Sequence, residues 1–232
     1  MALARELRAA VSSLTVFRRS EAQPLAAALA FYPAVGLLLG LVASGVAWAV
    51  DQRYPAFAGA AGVVVVAALS GARASRILAA RGALGASTAG LAFAVRLWAA
   101  SSLPAPARTA ALLIAPMLGR WAIVVQCYGG VPGAVLGEAA LVGGARFREF
   151  GWASVTAFAV TLAVADAVGL LVLVTAALTT MALRVYLYRR VGRLTERLLA
   201  ATAELVETTV MVTFALLASA HEPGAALALR RC

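Results

Sequence analysis

Glu204 and Glu207 stand three residues apart in LTERLLAATAELVETTVMV, so on a helix both carboxylates point to one side. Arg197 precedes Glu204 by close to two turns, and Arg193 lies one turn earlier. The spacing predicts a single stripe reading Arg193, Arg197, Glu204, Glu207. Arg96 in GLAFAVRLW, Arg120 in APMLGRWAIVV and Asp166 in AVADAVG are embedded in otherwise apolar text. Ionisable groups in such surroundings are costly, and they face a partner or a polar cavity. Two chemistries fit the set. Either the charges neutralise one another, or guanidinium forks line a cavity for a phosphate-bearing ligand with the two glutamates beside it. His221 stands alone, and Cys127 and Cys232 form no metal or redox spacing, which argues against a zinc site or a Ser-His-Asp triad.

The elements that must position these residues are membrane helices. The 232 residues are 63% hydrophobic and 13% charged, and the mean hydropathy is +0.91, so the chain is expected to be an integral membrane protein in one domain. Residues 1–23 lack the apolar core of a cleavable signal. Leu3, Leu7, Ala10, Leu14 and Phe17 repeat at helical spacing among Arg5, Arg8, Arg18 and Arg19, which predicts an amphipathic helix on a membrane surface. All 20 basic residues are Arg and the net charge is +10. Most of them flank apolar runs, so the expected partner is a lipid bilayer and not nucleic acid.

Apolar runs of crossing length cover Pro24–Val50, Leu84–Leu103, Thr109–Tyr128 and Leu198–Ala220, with a shorter one at Ala56–Leu69. Gly129 to Gly151 reads as a loop or interfacial segment. Trp152–Leu183 is long for one crossing and short for two, with Asp166 and Gly169 at its middle. A break near Asp166 places 14 arginines on the side of the N-terminus and four (Arg53, Arg108, Arg230, Arg231) on the other. One unbroken helix removes most of that bias, so the positive-inside rule favours the break. The expectation is an all-α polytopic transmembrane bundle of six to seven spans over 24–220, with a tail at 221–232. It lies in the bacterial inner membrane, its N-terminus and working face cytoplasmic. Gly36 and Gly40 in GLLLG let a neighbouring helix approach closely, by default within the chain and alternatively in a dimer.

The order of segments resembles the cobalamin synthase family, the adenosylcobinamide-GDP ribazoletransferases. PLAAALAFYPAVGLLLGL is similar to the family's first span and LLIAPMLGRWAIVV to its middle Ala-Pro…Gly-Arg span. RRVGRLTERLLAATAELVETTV is similar to its late Gly/Thr-rich loop running into a helix with two glutamates, and SSLTVFRR sits at the family's N-terminal Phe-Leu-Thr segment. The resemblance implies transfer of adenosylcobinamide phosphate from its GDP derivative to α-ribazole or its phosphate, with GMP leaving and Mg²⁺ assisting. It implies corrinoid and nucleotide ligands, catalytic roles for Glu204 and Glu207, and phosphate contacts from Arg96, Arg120 and Thr195 of the late loop. Arg96 falls near a family Lys.

The family supplies magnesium with a Gly-Gly-x-His-x-Asp-Gly-x-Ala-Asp-x-x-Asp-Gly stretch after the second span. Aligned from Ser70-Gly71, this chain has Ala74 at the histidine, and Arg76, Ala80 and Ala83 at the three aspartates. Arg197 replaces the Asp of the late loop. A guanidinium accepts no hydrogen bond and repels a divalent ion. Two readings of Arg76 and Arg197 follow, with no metal ligands in the chain: they hold phosphate oxygens directly, or they fill lost ligand positions and serve only as extra cytoplasmic charge. Two functions follow: a transferase working with altered metal chemistry, or a non-catalytic family member that binds a corrinoid or nucleotide or partners an intact synthase or a second copy. A transporter lined by Arg96, Arg120 and Asp166 is the alternative outside the family.

Overall fold

In the computed structural model of the chain, residues 6–7, 9–11, 14–15, 26–70, 83–130, 144–190 and 192–221 are described, without the side chains of 83–88, 197 and 221. They form an all-α, membrane-type bundle. A 3-10 turn, Ala26–Phe31, leads into α1 (Tyr32–Asp51), followed by α2 (Pro55–Leu69), α3 (Ala83–Ser102), α4 (Ala105–Cys127), α5 (Phe147–Arg190) and α6 (Glu196–His221). Prolines at 33, 55 and 106 open α1, α2 and α4, where a missing N–H costs nothing. Each predicted apolar run corresponds to one of these helices. Four of them, counting the 3-10 turn with α1, have the length and apolarity to cross a membrane: Ala26–Asp51, Ala105–Cys127, Phe147–Arg190 and Leu198–Ala220.

The ambiguous segment doubles back. Asp166 has φ 45° and ψ −129° inside the 44-residue α5. A Cβ placed on Gly169 would lie 2.7 Å from the carbonyl oxygen of Thr161, eight residues away. Along one continuous helix those residues would be about 12 Å apart. Residues 147–165 and 167–190 are therefore two antiparallel legs joined by a very tight turn, as the charge distribution predicted. Asp166, expected deep among apolar neighbours, is instead exposed at the tip of this hairpin. The turn itself displaces it from the packed interior.

Counting both legs, the six helices make seven passes through the bundle. One end gathers the turn at 52–54, the α3–α4 turn, the hairpin tip and the end of α6. Arg108 pairs with Asp51 across it, and a cavity of about 320 Å³ there is lined by Pro106, Asp166 and Ala218 among others. The other end is rich in arginine. Tyr128 at the close of α4 stacks on Phe150 at 4.8 Å, and Arg184 of the second leg donates to the carbonyls of Val125 (2.6 Å) and Tyr128 (2.8 Å).

The core is α4. From Ile114 to Cys127 every residue is buried, which a helix apolar all round achieves only when neighbours surround it. The GxxxG pair of α1 is what brings one neighbour close. A Cβ on Gly36 would lie 2.5 Å from the Pro116 carbonyl oxygen, and one on Gly40 would lie 2.6 Å from that of Leu113. The glycine face predicted to pack thus packs within the chain. At the N-terminus residues 6–7, 9–11 and 14 are helical, and Ala9, Ala10 and Leu14 join the core while Leu7 stays exposed. Leu3 and Phe17 lie outside the described residues.

Two substitutions test this packing. Asp166 occupies a backbone region that favours glycine, so Asp166→Gly should stabilise the protein by about 1 kcal/mol. Gly40→Leu forces a side chain into the α4 backbone and should cost about 2 kcal/mol or more. Both are read from unfolding midpoints of the purified protein in mixed micelles.

Candidate functional site

Four of the singled-out charges meet inside the bundle. Arg96 on α3, Arg120 on α4, and Glu204 and Glu207 on α6 are each at most 8% exposed. Glu207 lies at the centre. One carboxylate oxygen, Oε1, accepts a hydrogen bond from Arg120, and Oε2 accepts from Arg96 at 2.7 Å. The other arm of Arg96 donates to Glu204. Arg120 also reaches the Pro116 carbonyl at 3.5 Å, one turn back on its own helix. The result is a chain of alternating sign, Glu204–Arg96–Glu207–Arg120, formally neutral. Glu204 and Glu207 are eight and eleven residues into α6, about 12 and 16 Å from its start, near mid-depth of the bundle.

Local sequence explains how the charges meet. The i, i+3 spacing of the glutamates turns both to one side of α6. Gly119, next to Arg120, clears the room they need. A Cβ there would lie 2.7 Å from Glu207 Cγ and 2.9 Å from its Oε1. The guanidinium carbon of Arg96 lies 5.9 Å from the centre of the Phe93 ring one turn away, a cation–π contact that adds attraction where water is scarce. Its Nε is buried and has no acceptor among the described residues.

The remaining predicted positions do not join this cluster in the described structure. Arg76 lies outside the described residues. Arg197 lies in the first turn of α6 but its side chain is outside the described set. Thr195 precedes α6 and its carbonyl accepts from the N–H groups of Leu198 (3.0 Å) and Leu199 (3.1 Å), opening the helix. Arg193 departs from the expected stripe. It is exposed and precedes the helix, because Gly192 at φ 70° ends the preceding leg and the chain is not yet helical.

Two contributors were missed by the sequence reading. Gly119 appeared only as part of a Gly-Arg pair, and its adjacency to an intramembrane Arg was the available signal. Gln126 is fully buried, donates to the Thr180 carbonyl at 3.3 Å, and its Oε1 has no partner among the described residues. A lone Gln in an apolar run gave no hint of which neighbour it would face.

The donor set does not fit magnesium. Mg²⁺ requires carboxylate or carbonyl oxygens and water in near-octahedral array. Both oxygens of Glu207 are on guanidiniums, and Glu204 shares one of them. An ion placed there would also face two fixed positive charges. Among the described residues no group of three His, Cys, Asp or Glu side chains is placed to hold a metal. What the arrangement does chemically is fix three helices to one another through a desolvated charge network.

Compared with known proteins, the chain matches the sequence model of cobalamin-5-phosphate synthases over residues 6–74 and 72–215. No curated protein and no solved structure matches it.

If Glu207 is the centre of the network, Glu207→Gln removes the carboxylate to which both Arg96 and Arg120 are bonded and should destabilise by about 3–5 kcal/mol. Glu204→Gln should cost less, because Arg96 keeps Glu207. Arg120→Met combined with Glu207→Met should recover part of the loss. Denaturant titration in mixed micelles ranks the three.

Proposed function

The chain belongs to the cobalamin-5-phosphate synthase family and has a cobalamin synthase-like role in cobalamin biosynthesis, and from that premise we propose that it is a ligand-binding member that does not carry out metal-assisted transfer. The observation that carries this reading is the occupation of the late-helix glutamates. Metal-assisted phosphoryl transfer needs carboxylates turned to a divalent ion that neutralises the diphosphate. Here each carboxylate is turned to a guanidinium. The sequence points the same way, with Arg76, Ala80 and Ala83 at the aspartate positions of the second-span motif and Arg197 at that of the late loop. The retained chemistry is recognition: fixed guanidiniums suit the phosphate oxygens of a corrinoid-linked nucleotide or of α-ribazole phosphate.

The working face is the arginine-rich end, in a protein crossing the inner membrane seven times with that end in the cytoplasm. Among the described residues Arg146, Arg148, Arg184, Arg189, Arg190 and Arg193 are at this end, against Arg53 and Arg108 at the other. That is the asymmetry the positive-inside rule associates with a cytoplasmic side. Alkaline phosphatase fused after Gln52 should be active, and fused after Gly192 inactive. The reverse pattern would invert the topology.

Function is tested with the purified protein in nanodiscs. It is supplied with adenosylcobinamide-GDP, α-ribazole and Mg²⁺, and GMP release is followed beside equilibrium binding of each ligand. The expected outcome is saturable binding of a phosphate-bearing ligand, weakened by Arg96→Gln, with no GMP above the empty-disc background. Magnesium-dependent GMP release that disappears in Glu204→Gln would instead make the chain a working transferase.

A further inference from the structure

The hairpin formed by α5 presents cations and rings at the arginine-rich end that the charge network does not use. Arg146, Arg189 and Arg190 are exposed and have no ionic partner among the described residues. Arg148, with a side chain 74% exposed, touches the buried carboxylate of Glu149 at 3.1 Å and keeps its remaining edge to solvent. Below them on the apolar flank are Trp152, 63% exposed, and Tyr186, 58% exposed. Each leg repeats one motif. Trp152 is one turn deeper than Arg148 at i, i+4, and Tyr186 is one turn deeper than Arg190 at i, i+4, so ring and guanidinium share a face.

The register of the hairpin brings these two motifs toward a common height. Thr161 packs against Gly169, so Phe147 is level with position 183, and the second leg extends about 10 Å further. Side chains on a helix lean toward its N-terminus. Those of the first leg therefore lean outward from the bundle and those of the second lean back toward it, which closes most of the offset. Arg184 of the second leg is already committed to the Val125 and Tyr128 carbonyls at the end of α4 and ties the leg to it. The described acids nearby are Glu149, buried and engaged by the Arg146 N–H at 3.0 Å, and Glu196.

We infer that the foot of this hairpin is a binding site for an anionic phospholipid. The phosphate sits among Arg146, Arg148, Arg189 and Arg190, and the acyl chains lie against Trp152 and Tyr186. Aromatic rings prefer the level just inside the headgroups, and guanidiniums one turn above them meet the phosphate plane. Juxtamembrane cations attract acidic lipids, and each contributes severalfold in affinity. A zwitterionic lipid gains little from the same surface.

The test uses the full chain with Trp48→Phe and Trp98→Phe, which leaves Trp152 as the exposed indole, since Trp121 is only 3% exposed. Tryptophan quenching is followed in mixed micelles containing brominated phosphatidylglycerol or brominated phosphatidylcholine. The expected result is quenching by phosphatidylglycerol at a severalfold lower mole fraction, with the preference reduced about tenfold in Arg148→Gln/Arg190→Gln and lowered by high salt. Arg146→Gln/Arg189→Gln serves as a second pair should the first not fold. Equal quenching by the two lipids, a preference unchanged in both pairs, or a preference abolished by inorganic phosphate would overturn the lipid assignment. The last outcome would mark a site for soluble phosphates.

Discussion

Glu207 accepts from two guanidiniums that come from two different helices, at a depth where water does not screen charge. Removing an ion from water costs several kcal/mol, and its partner must return that cost with good geometry. The requirement ties α3, α4 and α6 into one arrangement. Arg96 cannot be buried unless α6 turns its glutamates toward α3. Glu207 cannot approach α4 unless residue 119 has no side chain. Such a network specifies one packing more strictly than apolar contacts do, because a shifted helix would leave a charge unpaired.

The rest of the bundle serves the same centre by steric means. α4 is buried over its last fourteen residues because α1 crosses it on glycines and the α5 hairpin covers another side. Carbonyl oxygens of α4 come within 2.5 and 2.6 Å of where Gly36 and Gly40 would carry a Cβ, and lipid tails offer no hydrophobic drive to substitute for that close fit. The hairpin accepts a non-glycine residue at positive φ, Asp166, to reverse direction within a single residue. That local cost is met by packing on both legs, such as the hydrogen bond from Trp121 to Ser154 at 3.1 Å and the one from Gln126 to Thr180.

A carboxylate cluster gathers a metal and can release it. A guanidinium cannot lose its proton and so provides a permanent positive field. In Glu204–Arg96–Glu207–Arg120 charges of opposite sign alternate and offset one another. A phosphate that enters must compete with a carboxylate for the same donors. At the foot of the hairpin Arg146, Arg189 and Arg190 have no ionic partner among the described residues, so an anionic surface meets less competition there.

Much of the fold was legible in the chain. The lengths of the apolar runs located α1 (with its leading 3-10 turn) to α4 and α6 to within a few residues, since a helix in a low-dielectric environment must satisfy its own backbone and announces itself by composition. The arginine asymmetry alone separated a hairpin from a single long helix at Asp166. Periodicity placed Glu204 and Glu207 on one face, but it extended the stripe to Arg193, because it carries no information on where a glycine at φ 70° ends a helix. The sequence by itself determined that this chain is a bundle of membrane-type helices with buried charges of both signs, because hydropathy, charge and helical period are local properties. Only the tertiary structure decided which charge meets which, that Gly119 vacates the space for Glu207 and that Gly36 and Gly40 face α4. Those depend on the relative rotation and depth of helices far apart in the chain, which no local pattern encodes.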